Sequence, residues 1–149
     1  MPSLSDAELV DVWMAASATY ADAARALVGA GVPALAVLDA ERRVVGLFTE
    51  DDLVAGLVPR YLRELRHTAF TEDDLRALAQ RAGEAAGEPV TRHMSKPIVL
   101  ERSTSATHAA ERFLHGGCSA LAVAEQGSFV GMLTQRELVR LLLARVGLV

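Results

Sequence analysis

Two stretches of the sequence set a hydroxyl and a carboxylate three residues apart. Thr49 precedes Asp52 within Val44-Val45-Gly46-Leu47-Phe48-Thr49-Glu50-Asp51-Asp52-Leu53, and Thr134 precedes Glu137 within Phe129-Val130-Gly131-Met132-Leu133-Thr134-Gln135-Arg136-Glu137-Leu138. A carboxylate can accept both protons of a sugar diol, whereas free N–H groups at a helix N-terminus attract phosphate. Each stretch reads as strand, hydroxyl, acid and helix, so both side chains are aimed at one small volume. The second stretch adds a cation, Arg136, where the first has Asp51.

The same spacing also makes a capping box, in which threonine and acid satisfy helix-end N–H groups without any ligand. Both readings stand for both copies. Glu137 is one methylene longer than Asp52, which displaces its carboxylate by more than hydrogen-bond tolerance unless the backbone adjusts. Arg136 beside a helix N-terminus is unfavourable unless an anion is near.

Other reactive residues carry less. His115-Gly116-Gly117-Cys118 has no further ligand at zinc-site spacing, and Cys118 aligns with Val32, which reads as a small core position. Glu50, Asp51 and Asp52 point in different directions and complement the helix dipole. Arg60, Arg63 and Arg66 form a helical basic stripe, either a solvated face or a partner contact. No nucleophile, base and orienting group are clustered, so an enzyme is not expected.

The elements that must position these groups are legible in the patterning. Ser5-Asp6-Ala7-Glu8 has capping-box form, and Val10, Val12 and Trp13 predict a short strand or a continued helix. Tyr20, Ala23, Ala24, Leu27 and Val28 have helical spacing and stop at Gly29-Ala30-Gly31. Ala34 to Leu38 is an apolar run predicted as a doubly buried strand, Asp39 to Arg43 a turn, and Val44 to Phe48 the returning strand. Ser17, Ala23, Ala24, Gly31, Ala34, Leu35, Ala36 and Val37 recur 86 positions later, and Val45, Gly46, Thr49, Leu53, Val54 and Leu57 recur 85 later. The chain is therefore an internal duplication of a β-α-β-β-α unit. Each unit is too small to bury a sufficient core alone, so the pair should fold as one.

The expected organisation is a first repeat with an N-terminal helix at 1–57, a helical insertion at 58–92 and a second repeat at 93–149. Within the insertion, Tyr61, Leu62 and Leu65 share one face. Thr71-Glu72-Asp73-Asp74 then starts a helix through Leu75, Leu78, Ala79 and Ala82, ended by Gly83, Gly87 and Pro89.

The duplicated Gly-apolar-apolar-Thr-x-x-acid unit, with His93-Met94-Ser95-Lys96-Pro97-Ile98-Val99 leading into the second copy, resembles the cystathionine-β-synthase (CBS) domain. The tandem resembles a Bateman module. This resemblance implies a mixed α/β fold, two β-α-β-β-α repeats packed sheet to sheet. It also implies a regulatory sensor that needs no cofactor and takes AMP, ADP, ATP or S-adenosylmethionine between its repeats. Thr49 and Thr134 would bond near the ribose or phosphate, and Asp52 would accept from the ribose hydroxyls. Adenine would lie against Pro33, Ala34, Ser119 and Ala120, with Lys96 and Ile98 nearby. A homodimer and an unidentified regulated protein are the implied partners. The first repeat lacks the Met-Ser lead-in, so the two sites are not equivalent. A ligand-free dimerisation or interaction scaffold of the same fold is the alternative.

The composition of the 149 residues fits a globular chain, with 51% hydrophobic and 23% charged residues, and argues against disorder. The net charge of −4 supplies no basic field for nucleic acid. The first residues have no signal-peptide pattern, no apolar run is long enough to span a membrane, and the single cysteine suits a reducing compartment. A cytoplasmic location is expected.

Overall fold

The structure, a computed structural model, describes residues 2–58, 71–117 and 119–149. The readings on Tyr61, Leu62, Leu65, the basic stripe from Arg60 to Arg66 and Cys118 lie outside the described residues. The first repeat contains β1 (Trp13–Ala15), α1 (Tyr20–Ala30), β2 (Ala34–Leu38), β3 (Val44–Thr49) and α2 (Glu50–Leu57). After α3 (Glu72–Ala86), the second contains β4 (Val99–Glu101), α4 (Ala106–Gly116), β5 (Ala120–Glu125), β6 (Ser128–Thr134) and α5 (Gln135–Arg145). In each sheet the first strand runs parallel to the second and the second antiparallel to the third, in the orders β1-β2-β3 and β4-β5-β6.

The helix boundaries follow local chemistry. Thr19, Thr49 and Thr71 close full capping boxes with Asp22, Asp52 and Asp74. Gly31 and Gly117 end α1 and α4 with φ of 65° and 69°, a left-handed conformation that a β-carbon disfavours.

Three local expectations are corrected. Gly83 lies inside α3, and Gly87 alone caps it. The strand starts at Trp13, while Val10 bridges to Met132 in the other sheet. The box predicted at Ser5 and Glu8 does not form: Ser3 caps a short 3₁₀ turn, Leu4–Asp6, and the Glu8 N–H is donated to Glu137. In the last two cases pairing across the repeats overrides a local preference.

The sheets stack with β2 against β5 and β6. Both β2 and the Ala120–Ala124 stretch of β5 are buried along their whole length, as the unbroken apolar runs predict. One core cluster mixes Leu35, Val37 and Phe48 with Ala120, Ala122, Phe129 and Met132, so this core is continuous across the two repeats. Helix α3 packs on α1 and α2 with Ala85 buried.

The segment that leads into each repeat is docked on the opposite repeat. Ser95 pairs with the outer edge of β3, with Leu47 N–H to Ser95 carbonyl at 3.0 Å and Ser95 N–H to Leu47 carbonyl at 2.7 Å. Val10 pairs with β6, with N–H to carbonyl distances of 2.9 and 2.8 Å to and from Met132. Each repeated glycine lies where this segment closes in. A β-carbon on Gly46 would meet Met94 Sδ at 2.3 Å, and one on Gly131 would meet Leu9 Cβ at 2.5 Å. Equivalent crossings join Leu4 N–H to the Thr104 carbonyl and Val90 N–H to the Ala18 carbonyl, both at 2.9 Å.

The duplication has diverged in a compensated way. A β-carbon on Gly56 would lie 2.5 Å from the Tyr20 ring, and the Tyr20 hydroxyl donates to the Leu53 carbonyl. The corresponding positions of the second repeat carry Ala106 and Leu141, small and large exchanged, both buried. Gly56→Leu alone should destabilise the protein by about 1–3 kcal/mol through overpacking, despite the better helix propensity of leucine. Adding Tyr20→Ala should recover part of that loss. Urea denaturation of both single variants and the double variant checks it, and strictly additive losses would contradict the pairing.

His93 stands at the junction of α1, α3 and the second lead-in. Its ring is 4.6 Å from the Tyr20 ring, its side chain is 9% exposed, and the buried Nε2 has no hydrogen-bond partner among the described residues. Burial lowers its pKa below 6.5. The charge of Glu88, whose carboxylate is 3.8 Å away, opposes that shift, and Arg81 and Arg92 add to it. Below pH 6.5 the unfolded chain therefore binds this proton before the folded one does. Stability from this source is complete above that pH and declines as pH falls through and below it. Melting temperatures of wild type and His93→Gln measured between pH 7.5 and about 5 should diverge, with the variant losing less on acidification.

Candidate functional site

The seam between the repeats opens into a cleft of about 560 Å³. The first repeat contributes Pro33 and Ala34 at the start of β2, Leu47 and Thr49 on β3, and Glu50 and Asp51 on α2. The second contributes Ser95 to Ile98 of its lead-in, with Gly116, Gly117 and Ser119 from the α4–β5 connection. These residues converge for a topological reason. The start of β2 lies beside the end of β3, where Ala34 pairs with Thr49 and α2 begins, and the docked lead-in carries Lys96 and Ile98 across the seam. Of the predicted site residues, Pro33, Ala34, Thr49, Lys96, Ile98 and Ser119 line this cleft. Ala120 is buried beside Ser119 in the core.

Asp52 is half-buried and bonded to two residues of this lining, Thr49 and Ser95. Its Oδ2 accepts the Thr49 N–H at 2.9 Å and the Thr49 hydroxyl at 2.9 Å, while the Asp52 N–H is donated to Thr49 Oγ1 at 3.1 Å. The Ser95 hydroxyl reaches the same carboxylate, 2.7 Å from Oδ1 and 2.9 Å from Oδ2. The capping box is therefore formed, and a hydroxyl from the other repeat is added to it.

Thr134, Arg136 and Glu137 line a separate concavity of about 400 Å³ with Glu8, Leu9, Val10 and Arg140. Here the box is only half made. Thr134 Oγ1 accepts the Glu137 N–H at 3.2 Å, but the carboxylate swings past the Thr134 N–H. It accepts instead from Arg140, with Nε at 2.8 Å, and from the Glu8 N–H at 2.9 Å. The extra methylene accounts for the difference. The hydrogen bond from Arg140 holds the Glu137 carboxyl below the usual glutamate range, against the opposing effect of burial.

The two concavities differ in charge. The first has Glu50 and Asp51 on one wall and Lys96 on the other. The second has Arg136, with no ion pair among the described residues, next to the paired Arg140. The Pro33 carbonyl accepts the Glu50 N–H and the Ser119 carbonyl the Gln135 N–H, both at 3.0 Å, so each strand start is tied to the helix bearing its acid.

Ser95, Leu47 and the Gly116-Gly117 pair were not singled out as site residues from sequence. The signal for Ser95 was present in the Met-Ser lead-in, and Gly117 was visible as the repeat partner of Gly31. Among the described residues no group of three or more His, Cys, Asp or Glu side chains could hold a metal ion, and no helix is long and apolar enough to cross a membrane.

The family model described as "CBS domain" matches residues 11–58 and 90–144. The chain belongs to the CBS-domain family and carries a tandem pair of the domains. A search of curated proteins by sequence returns no match. Among solved structures, the fold is similar to CBSX2 from Arabidopsis thaliana, a CBS-pair protein, at 25% identity and TM-score 0.71 over 97% of this chain and 96% of that one. CBSX2 in complex with AMP matches at 24% identity and TM-score 0.71, covering 98% of this chain and 99% of that one. A putative acetoin utilization protein (AcuB) from Vibrio cholerae matches at 15% identity and TM-score 0.72 over 99% and 95%.

Proposed function

We propose that this chain is a regulatory sensor that takes an adenosine-containing ligand, AMP, ADP, ATP or S-adenosylmethionine, in the cleft between its repeats. The observation that carries this reading is the convergence of Pro33, Ala34 and Thr49 from one repeat with Lys96, Ile98 and Ser119 from the other on a single cleft. Its volume falls in the range of small-molecule sites. The AMP complex of CBSX2, which shares the fold, supports the same ligand class.

In this reading Pro33, Ala34 and Ile98 wall the base, Thr49 and Asp52 address the ribose, and Lys96 meets an anionic substituent. Ligand touching both repeats favours one relative arrangement, and a partner protein or second copy responds to it. No chemical step is involved. The site operates in the cytoplasm, where adenosine ligands are abundant.

Calorimetry with the four ligands on protein stripped of co-purified molecules tests the reading. Binding should weaken about tenfold or more in Asp52→Ala, consistent with loss of a charged acceptor, and less in Glu137→Ala, whose carboxylate is already engaged by Arg140. No heat with any of the four ligands at millimolar concentration would remove the sensor.

One observation favours the second reading, a ligand-free interaction scaffold: the Asp52 and Glu137 carboxylates both already accept protein donors. Either reading accommodates a homodimer. Val28 and Leu114 occupy equivalent positions on α1 and α4 and are 72% and 81% exposed, and Val54 and Val139 are a second exposed pair on α2 and α5. Light scattering of Leu114→Asp should give the monomer mass where wild type gives the dimer. A monomeric wild type would remove self-association from the mechanism.

A further inference from the structure

We propose that Ser95 is a selectivity residue of the first cleft: its hydroxyl occupies the Asp52 carboxylate and yields only to a ligand that delivers two hydroxyls. The proposal rests on the sensor reading above and adds how the cleft chooses and what occupancy breaks.

The starting point is position. Asp52, the residue chemically suited to a diol, is half-buried, and its hydroxyl partners Thr49 and Ser95 both line the cleft. A ligand hydroxyl competes with them for the carboxylate. Thr49 is fixed, because its hydroxyl also accepts the Asp52 N–H and so closes the cap of α2. Ser95 is exposed, and its hydroxyl has no other bond among the described residues.

Counting acceptor positions leads to the same residue. A carboxylate offers about four lone-pair positions. Three donors already use them, the Thr49 N–H, the Thr49 hydroxyl and the Ser95 hydroxyl. A ligand with a single hydroxyl fits the remaining place. A vicinal diol needs two, and Ser95 is the donor free to withdraw.

Withdrawal also cuts a tie between the repeats, because Asp52 belongs to α2 and Ser95 to the segment leading into the second repeat. The backbone pairing of Ser95 with Leu47 does not involve the hydroxyl, so that pairing holds the strand while the side chain turns. Occupancy of the carboxylate by a diol is thereby coupled to one specific bond across the seam. The second concavity has no counterpart, since Val10 pairs there where Ser95 pairs here and carries no hydroxyl.

The test uses the full chain with AMP and 2′-deoxy-AMP as calorimetric probes on wild type, Ser95→Ala and Ser95→Thr. Removing the competing hydroxyl should tighten AMP by about 3- to 10-fold, the effect of one hydrogen bond, and leave 2′-deoxy-AMP within about twofold. Ser95→Thr, which keeps the hydroxyl, should behave as wild type. Unchanged or weaker AMP binding in Ser95→Ala, an equal gain for both nucleotides, or a threonine variant matching the alanine variant would each overturn the proposal. A second arm needs no ligand: unliganded Ser95→Ala should melt below wild type because a bond across the seam is gone, and equal melting temperatures would overturn the tie. If wild type binds neither nucleotide, this selectivity role falls, and the sensor reading falls with it only where ADP, ATP and S-adenosylmethionine also give no heat. If wild type binds AMP and the alanine variant binds it no better, only the selectivity role falls.

Discussion

The reciprocal docking of the two lead-in segments is the constraint on which the rest of this structure depends. A three-stranded sheet leaves the outer strand with unpaired N–H and C=O groups, and such an edge must be paired, covered or exposed to water. Here β3 is paired by Ser95 and β6 by Val10, each delivered from the opposite repeat. Neither repeat has a closed sheet by itself, and the buried cluster around Phe48 and Met132 draws on both. The cleft is a by-product of this exchange, since the segment that completes the first sheet also forms the facing wall.

The same exchange explains why the repeated motif contains glycine. Propensity gives no reason for glycine inside a strand, where it weakens the element. Gly46 and Gly131 are the positions at which Met94 and Leu9 of the crossing segments press closest. Thr49 and Thr134 follow three residues on, at the point where each strand hands over to a helix, and so the glycine, the threonine and the acid together mark the place where one repeat receives the other.

Much of this was legible in the sequence. The 86-residue offset, the unbroken apolar runs at Ala34 and Ala120 and the threonine caps led directly to the order of elements, because these signals are local or repeated. What was not legible depends on pairing between distant polar segments. The capping pattern at Ser5 is a valid local signal, but the Leu4 and Glu8 N–H groups are taken by Thr104 and Glu137, both far along the chain in the second repeat. The inequality of the two acids was visible in their lengths, whereas the destination of Glu137, on Arg140 and Glu8, required the helix face and the neighbouring segment to be in place. Ser95 was hidden for a similar reason: nothing local links it to Asp52, 43 residues earlier.

The exchange of bulk between Tyr20/Gly56 and Ala106/Leu141 bears on how the duplication persists. Two similar halves of one gene are open to recombination with each other, which tends to make them identical. A crossover between these codon pairs would unite tyrosine with leucine, an overfilled core, or alanine with glycine, an empty one. Loss of stability in both products would act against such an exchange, and the two concavities do differ in charge, with Glu50, Asp51 and Lys96 at one and Arg136 and Arg140 at the other.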